Sequence, residues 1–480
     1  MAETVTYPID YIKTSIQVNP HKISFYENLM EISHSKNKLK IYDGLKPSQR
    51  KILYSCFKRK LYSEIRVAQL AGYVSENAAY HHGEASCQAA IIGMAQDYMG
   101  SNNINLLYPA GQFGSRLLNG KDAASPRYIR TRLSEITKAI YPASEAPLFE
   151  YNEDDGKQIE PKYYLPILPM VLINGADGIG TGFSTKIEPH NPQDIIYNIR
   201  RYLKGKSLVE MIPWYRGFKG TVEEVGVNKY LLRGTYEVKG DMLYITELPP
   251  GVATIKYKEY LDNVVDQAKI PVESLKKNRE LIKGTGIERV AIDNRIGEDI
   301  IGEPKDMCTD ADIKFQLKFK KGTLQKHIDA GTLETDLRLT KAVGHTNMHL
   351  WKTDGTIHKY GSTLEILKEH ADLRLELYEA RRQYLIKAAN AERNIYYWKY
   401  KFMRAVMNDK LVVYKVKKEE IHRRLEEAGY PQLSVRMDAA PSYAYLTGIT
   451  VGHFSEEDLA ELKRLIAKAD EQIQELEETT

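Results

Sequence analysis

The chain has 480 residues, which is too long for one ordinary hydrophobic core and favours two to four domains. Apolar residues make up 42% and charged residues 28% of the sequence, as in globular proteins, and the net charge of +4 does not by itself indicate a nucleic-acid partner. Three widely spaced cysteines argue against a disulfide framework. No apolar run approaches the roughly 20 residues that cross a bilayer, and no signal peptide opens the chain, so we expect a soluble, intracellular protein without a membrane partner.

The N-terminal part of the sequence is irregular and then strongly basic. Residues 1–21 contain two prolines among scattered polar residues, which predicts an arm, and residues 24–35 suit a short helix. Between residues 36 and 66, ten lysines or arginines accompany two acids. Asp43-Gly44 is a turn signal and Pro47 suits the first turn of a helix, so we expect a domain to begin in this region.

Three helices are predicted from this point. The first has an apolar face formed by Ile52, Leu53, Cys56 and Phe57. Its basic residues lie elsewhere and are expected to stay available to solvent or phosphate: Arg50, Lys51, Lys58 and Arg59. The second helix is patterned by Val67, Leu70, Ala71 and Val74, and the third by the small apolar residues of 85–94. Three helices with a basic, exposed element suit a helix-turn-helix or winged-helix module.

Residues 107–130, LYPAGQFGSRLLNGKDAASPRYIR, form a loosely structured segment that ends in an arginine–tyrosine pair. A tyrosine hydroxyl is a poor nucleophile at neutral pH because its ordinary pKa is near 10. A neighbouring cation can favour the phenolate and stabilise negative charge on a phosphorus under attack. Arg127 and Tyr128 are therefore a candidate nucleophile and electrostatic helper. The alternative is a packing tyrosine beside a solvated arginine, since the chain has 33 tyrosines.

A second polar motif, YHHGE, occupies residues 80–84. A metal site would need a third ligand besides His81 and His82, and Cys87 is close, but the spacing matches no zinc motif. One alternative is a turn at the start of a helix. The other is that the imidazoles bind a DNA phosphate or assist proton transfer.

The middle of the chain, about 160–355, is predicted to be one mixed α/β domain. Strand-like alternation occurs at 218–224, 230–233, 242–247 and 313–319, with helices such as 256–267 between them. The glycine-rich sequence NGADGIGTG (174–182) lacks the lysine of a phosphate-binding loop and the context of a dinucleotide fold. It is either a structural turn or a platform from which Ile179 wedges between base pairs.

The C-terminal part is predicted to be long helices. Apolar residues recur every three or four positions from 363 to about 407, and a last helix with Ser455 as its N-cap has a heptad seam at Leu459, Leu462, Ile466, Ala469, Ile473 and Leu476. An outgoing and a returning helix around an insert at about 408–454 predict an antiparallel coiled coil with a knob at its tip. The coiled coil is either a packing stalk or a dimerising gate.

Several ungapped sequence blocks occur together in one order. They are DGLKPSQRK (43–51), VAQLAGYVSENAAYHHGE (67–84), GQFGSRL (111–117), KDAASPRYI (121–129), PMVLINGADGIGTGFS (169–184) and FKGTVEE (218–224). From about residue 24 to its end, the chain resembles the breakage-reunion part of type IIA DNA topoisomerases. The amino-acid sequence of these blocks most resembles that of the eukaryotic and viral enzymes. The subunit organisation is similar to that of the T-even bacteriophage enzyme, in which the cleavage part is a separate subunit. The bacterial relative is the gyrase A subunit.

The resemblance implies a role for each matching residue. Tyr128 would attack a phosphodiester of double-stranded DNA and hold the 5′ end as a phosphotyrosine, Arg127 would stabilise the transition state, and His82 would complete the catalytic set. Ile179 would intercalate and bend the duplex. The other family positions near the cleaved DNA are Lys46, Arg50, Lys51, Tyr80, His81 and Ser86.

The resemblance also implies a multidomain α+β fold. Residues 1–23, which have no clear counterpart in the family, would be an N-terminal arm. After it would come a winged-helix cleavage domain (24–160), a mixed α/β tower domain (161–362), and a coiled coil with a small helical C-gate (363–480) through which the chain forms a homodimer. The lead-in KNKLKIY departs from the RSIP-like sequence that the family has before DGLKP.

The resemblance implies cofactors that this sequence does not hold. Neither the acids of the family's Toprim domain nor its ATPase domain are present, and the acidic run at 153–155 is typical of a solvated turn. We therefore expect the chain to be one subunit of a larger enzyme or a fragment of one, with Mg²⁺ and ATP bound by a partner chain that carries the Toprim and ATPase domains. The enzyme would act in a bacterial host's cytoplasm if phage-like, and in a nucleus or virus factory if eukaryotic or viral.

Two other functions fit parts of the sequence. A non-catalytic DNA-bending or clamp protein could use the same surface, but the intact Arg127–Tyr128 pair favours the cleavage subunit. A metallonuclease acting alone would need clustered acids, which the sequence lacks.

Overall fold

A computed structural model describes residues 42–180, 183–269, 296–352, 355–434 and 440–478. The helix predicted at 24–35 and the arm at 1–23 lie outside these residues. The chain divides into two compact units, 1–373 and 374–480. None of the described helices has both the length and the apolar character that a membrane crossing requires. All three cysteines carry free thiols, as predicted.

The first unit begins with three helices: α1 (Pro47–Lys58), α2 (Val67–Asn77) and α3 (Glu84–Ala95). Pro47 lies in the first turn of α1, and the Gln49 side chain accepts a hydrogen bond from the N–H of Lys46 at 2.9 Å, which closes the helix start. The predicted apolar faces are confirmed, because Ile52, Leu53 and Cys56 of α1 and all four patterned residues of α2 are buried. These helices pack on one another through those faces.

A small antiparallel sheet follows the helices. It has the order β1–β3–β2 and consists of β1 (Ile65–Arg66), β2 (Leu107–Ala110) and β3 (Arg130–Leu133). Arg130 of β3 pairs with Arg66 on one side and with Ala110 on the other. The long segment between β2 and β3 therefore leaves and re-enters the sheet at the same end, and it carries Tyr128.

Short elements connect this sheet to the rest of the unit. They are α4 (Glu135–Ile140), a 3₁₀ helix (Ala143–Leu148), β4 (Tyr151–Asp154), β5 (Lys157–Pro161), α5 (Met170–Ile173), β6 (Ala176–Gly180), β7 (Phe183–Ile187) and α6 (Pro192–Leu203). Asp155 has a φ of 47° in the turn between β4 and β5, whereas Glu153 and Asp154, which were predicted to belong to a turn, pair with β5 as part of β4. Asn191 caps α6 through a 2.9 Å hydrogen bond from the N–H of Gln193.

The remainder of the first unit contains two larger sheets. One has the order β14–β9–β8 and the other the order β10–β11–β13–β12. The strands are β8 (Thr221–Gly226), β9 (Lys229–Arg233), β10 (Tyr236–Lys239), β11 (Met242–Ile245), β12 (Lys305–Asp306), β13 (Phe315–Lys318) and β14 (Thr340–Gly344), and a separate hairpin joins β15 (His349–Trp351) to β16 (Ile357–Lys359). The helices are α7 (Thr254–Ala268), α8 (Thr323–Asp329) and α9 (Leu333–Asp336). Phe315, Leu317 and Phe319 are buried in this core, which confirms the predicted alternation.

The second unit is helical. Most of the long helix α10 (Thr363–Met407) belongs to this unit, and it is followed by α11 (Lys418–Glu427), α12 (Ala444–Thr447) and α13 (Glu456–Glu478). The N–H of Asp458 donates to Ser455 Oγ at 3.1 Å, so the predicted N-cap is confirmed. Within this unit Arg393 of α10 pairs with Asp470 of α13 at 2.5 Å, and Ala469 is buried. The described chain is a mixed α/β protein, as predicted.

Candidate functional site

Tyr128 lies at the surface, two residues before β3. Its side chain is 79% exposed, the largest exposure of any tyrosine among the described residues, and Arg127 is exposed beside it. Ile129, the next residue, is only 3% exposed. One buried neighbour therefore holds the backbone while the phenol and the guanidinium project into solvent.

The segment that carries Tyr128 is hydrogen-bonded to the start of α2. The N–H of Val67 donates to the carbonyl of Ile129, and the N–H of Ala68 donates to the carbonyl of Pro126, both at 3.1 Å. These amides belong to the first turn of a helix, whose N–H groups have no partner within the helix. The tyrosine segment thus caps α2, and the N–H of Tyr128 closes a turn on the carbonyl of Ser125 at 2.9 Å.

Asp122 organises the preceding part of the segment. Its carboxylate accepts hydrogen bonds from the hydroxyl of Ser115 at 2.6 Å and from the N–H of Ser115 at 3.0 Å. Burial would raise the pKa of Asp122, but the hydrogen bonds from Ser115 outweigh it and lower that pKa. The aspartate therefore stays ionised and cross-links the loop.

The glycines of GQFGSRL allow the loop to fold closely on itself. Gly114 has a φ of 100°, and a Cβ atom there would lie 2.5 Å from the Cα of Gly120. Because an L side chain rarely adopts this φ and the space is already filled by backbone, glycine is required at this position.

Arg116 connects the same loop to α7. Its guanidinium donates to Glu247 Oε1 at 2.6 Å, and both side chains are buried. The carbonyls of Arg116 and Leu117 accept hydrogen bonds from the N–H groups of Thr254 and Ile255, at the first turn of α7. The motif GQFGSRL, which contains Arg116, is one of the blocks that carry the family resemblance. The predicted site included neither Arg116 nor Glu247, because these residues are 131 positions apart and only the fold brings them together.

The basic helix α1 is less available than predicted. Arg50 is 4% exposed; its Nε donates to Asp43 Oδ2 at 2.6 Å, and its Nη2 donates to Asp43 Oδ1 and to the carbonyl of Leu45 at 3.0 Å. Burial alone would lower the pKa of Arg50, but the adjacent Asp43 raises it. The prediction that Arg50 stays available to solvent or phosphate is wrong, because a buried carboxylate occupies the guanidinium.

The two lysines near the start of α1 differ in their contacts. Lys51 donates from Nζ to the carbonyl of Ala78 at 2.6 Å and to Glu160 at 2.9 Å, which ties α1 to the end of α2 and to β5. Lys46 is half-buried at the N-terminus of α1. Of the three residues predicted to lie near DNA here, Arg50 and Lys51 are paired with carboxylates, which leaves Lys46 as the candidate for a phosphate contact.

The YHHGE motif forms the predicted turn at the start of α3. His81 and His82 are exposed, whereas Tyr80 is 6% exposed and lies edge-to-face against the His82 ring with centroids 5.6 Å apart. The Tyr80 hydroxyl is 3.3 Å from the exposed Ser86 Oγ. The Tyr80 ring therefore packs inside the protein, and the DNA contact predicted for this residue stays a prediction.

Within the glycine-rich sequence, β6 pairs antiparallel with the following strand β7, and this strand pair is called the hairpin below. Ile179 of β6 pairs with Ser184 of β7. Gly175 directly precedes β6 and has a φ of 71°, and a Cβ atom added at this position would lie 2.6 Å from the carbonyl oxygen of Ile187. Asn347 Nδ2 donates to Ser184 Oγ at 3.0 Å and braces the hairpin from the side.

An asparagine joins the hairpin to the sheet that carries Tyr128. The Asn174 side chain accepts from the N–H of Ile104 and donates to its carbonyl, both at 2.8 Å, three residues before β2. This paired contact was not predicted, although Asn174 opens the glycine-rich motif. The structure therefore ties the Ile179 hairpin to the element from which the tyrosine loop starts.

The described residues offer no obvious metal site. No group of three or more His, Cys, Asp or Glu side chains among them could hold a metal ion. His81 faces Asp154 at 3.6 Å, with no third ligand in that contact.

Comparison with known proteins identifies the family. The sequence matches the family of the A subunit of DNA gyrase/topoisomerase IV over residues 40–292 and 286–480. The chain belongs to this family. It is 40% identical over 473 residues to DNA topoisomerase 2 of Acanthamoeba polyphaga mimivirus, covering 91% of this chain and 37% of the viral protein. It is 40% identical over 395 residues to DNA topoisomerase 2 of Saccharomyces cerevisiae, covering 82% of this chain and 26% of the yeast protein.

A solved structure gives the same result. The chain is similar to the Plasmodium falciparum topoisomerase II DNA-binding, cleavage and re-ligation domain, with a TM-score of 0.78 and 36% identity over 94% of this chain and 60% of that chain. The chain thus spans between about a quarter and two fifths of the full-length relatives named above.

Proposed function

We propose that this chain performs the DNA cleavage and religation steps of an ATP-dependent type IIA topoisomerase, with Tyr128 as the nucleophile. The observation that carries the proposal is the 79% exposed phenol beside Arg127, on a loop whose backbone is fixed by the start of α2. A tyrosine kept for packing would be buried. The non-catalytic DNA-bending alternative gives no reason for this arrangement.

In the proposed step, Tyr128 Oη attacks a DNA phosphorus. A phosphotyrosyl O–P bond forms to the 5′ phosphate, the P–O3′ bond breaks, the phenol loses its proton and the departing 3′ oxygen gains one. Arg127 stabilises the negative charge on the phosphoryl oxygens, and His82, exposed at the start of α3, transfers the proton. A phosphotyrosyl ester replaces a DNA phosphodiester of similar energy, so religation is the reverse reaction and requires no ATP hydrolysis.

The proposed DNA surface combines exposed and half-buried polar residues with the hairpin. Lys46, His81 and Ser86 contact the backbone of the duplex, and Ile179 intercalates and bends it. Arg50, Lys51 and Tyr80 support this surface from within: Arg50 and Lys51 are occupied by carboxylates, and Tyr80 packs under His82.

We assign the fold elements to the family's parts as predicted from sequence. Residues 24–160 form the winged-helix cleavage domain, which α1, α2, α3 and the β1–β3–β2 sheet support. Residues 161–362 form the tower domain. Residues 363–480 form the coiled coil and C-gate of a homodimer, which the heptad positions of α13 and the Arg393–Asp470 pair support.

The cofactors belong to the whole enzyme. The described residues form no cluster of three or more His, Cys, Asp or Glu side chains that would hold Mg²⁺, so the proposed roles of Tyr128, Arg127 and His82 do not include metal binding. Mg²⁺ and ATP are bound by the Toprim and ATPase parts of the enzyme, and ATP drives the passage of the second duplex.

The test is covalent linkage to DNA. The chain is combined with the Toprim- and ATPase-bearing part of the enzyme, Mg²⁺ and supercoiled plasmid, and the reaction is stopped with detergent. Linear DNA attached to protein is expected, and Tyr128→Phe should abolish it. Tyr108→Phe is the matched control, because Tyr108 is also exposed (42%) and has an arginine, Arg132, 4.5 Å from its ring centroid. Undiminished linkage in Tyr128→Phe would contradict the proposal, and binding without any linkage would favour the DNA-bending protein.

A further inference from the structure

An aromatic pocket lies on the side of α1, between this helix and residues 141–165. Its volume is about 340 Å³, and it is lined by seven aromatic side chains: Tyr54, Phe57, Tyr62, Tyr141, Phe149, Tyr151 and Tyr164. None of these residues has a part in the proposed cleavage chemistry. Ligand pockets in proteins occupy roughly 300–1,000 Å³, so this pocket suits a molecule of one or two rings.

The rings are arranged around a space and do not fill it. Phe57 lies 5.8 Å from Tyr164 and 6.1 Å from Tyr141, and Tyr54 lies 6.4 Å from Tyr151, all measured between ring centroids. Tyr54, Phe57, Phe149 and Tyr151 are each only half-buried. Edge-to-face walls of this kind accept another flat ring, because aromatic pairs favour T-shaped and offset contacts.

Polar groups in the wall are mostly already paired. The Tyr151 hydroxyl donates to the carbonyl of Ala146 at 3.0 Å, and the Tyr54 hydroxyl to that of Gln158 at 3.3 Å. The Tyr141 hydroxyl is buried and has no hydrogen-bond partner among the described residues. Because that hydroxyl is itself inaccessible, the wall holds a ligand mainly through its ring faces and edges.

Positively charged side chains at the rim of the pocket favour a negatively charged ligand. Lys58 and Lys60 line the pocket and are exposed, and the Lys58 ammonium lies 5.6 Å from the Tyr54 ring centroid. The acid in the wall, Glu145, is 1% exposed. A cluster of tyrosines can also bind an organic cation, but two exposed ammonium groups at the mouth would repel it.

We propose that the aromatic pocket binds a flat aromatic anion of one or two fused rings. The rings insert among Tyr54, Phe57 and Tyr151, and the acidic group pairs with Lys58 and Lys60 at the rim. This site is separate from Tyr128 and does not depend on DNA cleavage.

The experiment titrates the full chain with 2-naphthoate, and separately with tetramethylammonium, by calorimetry. Saturable binding of one naphthoate per chain is expected. Ala146→Trp, which places an indole in the pocket mouth, should weaken it by at least about tenfold. Ser144→Trp is the control, because Ser144 is exposed on the same 3₁₀ helix but does not line the pocket.

The charge is tested with Lys58→Gln/Lys60→Gln, two surface changes that leave the core untouched. This variant should bind naphthoate several-fold more weakly and should lose the salt dependence of binding. No saturable naphthoate binding in the millimolar range, equal affinity in Ala146→Trp and Ser144→Trp, or preferred binding of tetramethylammonium would each overturn the proposal.

Discussion

The N–H of Val67 donates to the carbonyl of Ile129 at 3.1 Å, so the residue after the candidate nucleophile is also a cap of helix α2. The side chain of Ile129 adds a second restraint, because it is 3% exposed and the backbone of Gly111 passes close to it. The position of Tyr128 thus depends on packing and on a hydrogen bond that belong to its neighbour.

The first prediction concerns this restraint. Ile129→Ala should lower the free energy of unfolding by about 2–5 kcal/mol and reduce covalent linkage to DNA although Tyr128 is unchanged. Denaturant unfolding and the detergent-stopped cleavage reaction measure the two effects. Ile136→Ala, at a 48% exposed position, should change neither, and an Ile129→Ala protein with normal stability and cleavage would show that packing does not position the tyrosine.

The second prediction concerns the buried pair of Asp43 and Arg50. Asp43→Asn leaves the guanidinium buried without its charge partner and should cost about 3–5 kcal/mol of unfolding free energy. The double change Asp43→Asn/Arg50→Met should recover a large part of that loss, because it removes both charges and keeps an amide oxygen that can accept from the N–H of Leu45 or Tyr164. For comparison, Glu150→Gln breaks the exposed Lys162–Glu150 pair, 2.7 Å long, and should leave the unfolding curve unchanged. Additive losses in the double variant would contradict the coupling.

The third prediction concerns Ile179, and it rests on the proposed function. Ile179→Ala should reduce DNA bending and cleavage more than it reduces DNA binding at low salt, where phosphate contacts dominate affinity. Energy transfer between dyes at the ends of a short duplex measures bending, and anisotropy measures binding. Val227→Ala, in the exposed turn between β8 and β9, is the control. Equal losses of binding, bending and cleavage would argue against intercalation.

The fourth prediction concerns a buried histidine pair. The rings of His190 and His345 are stacked with centroids 5.1 Å apart; burial, followed by the nearby His345, lowers the pKa of His190 to about 3, and burial lowers the pKa of His345 to about 4. Both pKa values lie below the ordinary value near 6.5, so the folded chain stays neutral there while the unfolded chain takes up protons. Stability should therefore be constant above about pH 6.5 and should decline as the pH falls towards 4.

The measurement is the free energy of unfolding between pH 7.5 and 4. Each imidazole contributes a slope of about 1.4 kcal/mol per pH unit within its window, so His345→Gln should make the decline shallower by about that amount. The N–H of Glu188 donates to His345 Nδ1 at 3.2 Å, and a glutamine amide oxygen can accept the same hydrogen bond. An unchanged slope in His345→Gln would mean that other groups cause the acid sensitivity.

The elements that sequence predicted well are those with local causes. Ile52, Leu53 and Cys56 lie on one face of a helix by their spacing alone, and Phe315, Leu317 and Phe319 lie on one face of a strand. Ser455 caps α13 because its hydroxyl reaches an amide three residues ahead. Such patterns need no knowledge of the rest of the chain.

The candidate site was harder to predict because its polar contacts are long-range. The spacing on α1 cannot show that Arg50 turns inward, since the buried Asp43 that holds it is itself fixed by the N–H of Tyr164 at 3.0 Å. The contacts of Arg116 with Glu247 and of Asn174 with Ile104 likewise exist only after folding. Residue types and motif order pointed to the candidate site. Only the fold shows which of its residues are exposed at the surface and which are buried beneath them.

The capping of α2 by the tyrosine loop has a spectroscopic consequence. The amides of Val67 and Ala68 are protected only while the carbonyls of Ile129 and Pro126 stay in place. The rate of hydrogen exchange at these two amides therefore reports opening of the loop. It can be measured in the wild-type protein without a reporter group near the Tyr128 phenol. Faster exchange at these two sites than in the middle of α2 would give the frequency with which the loop detaches.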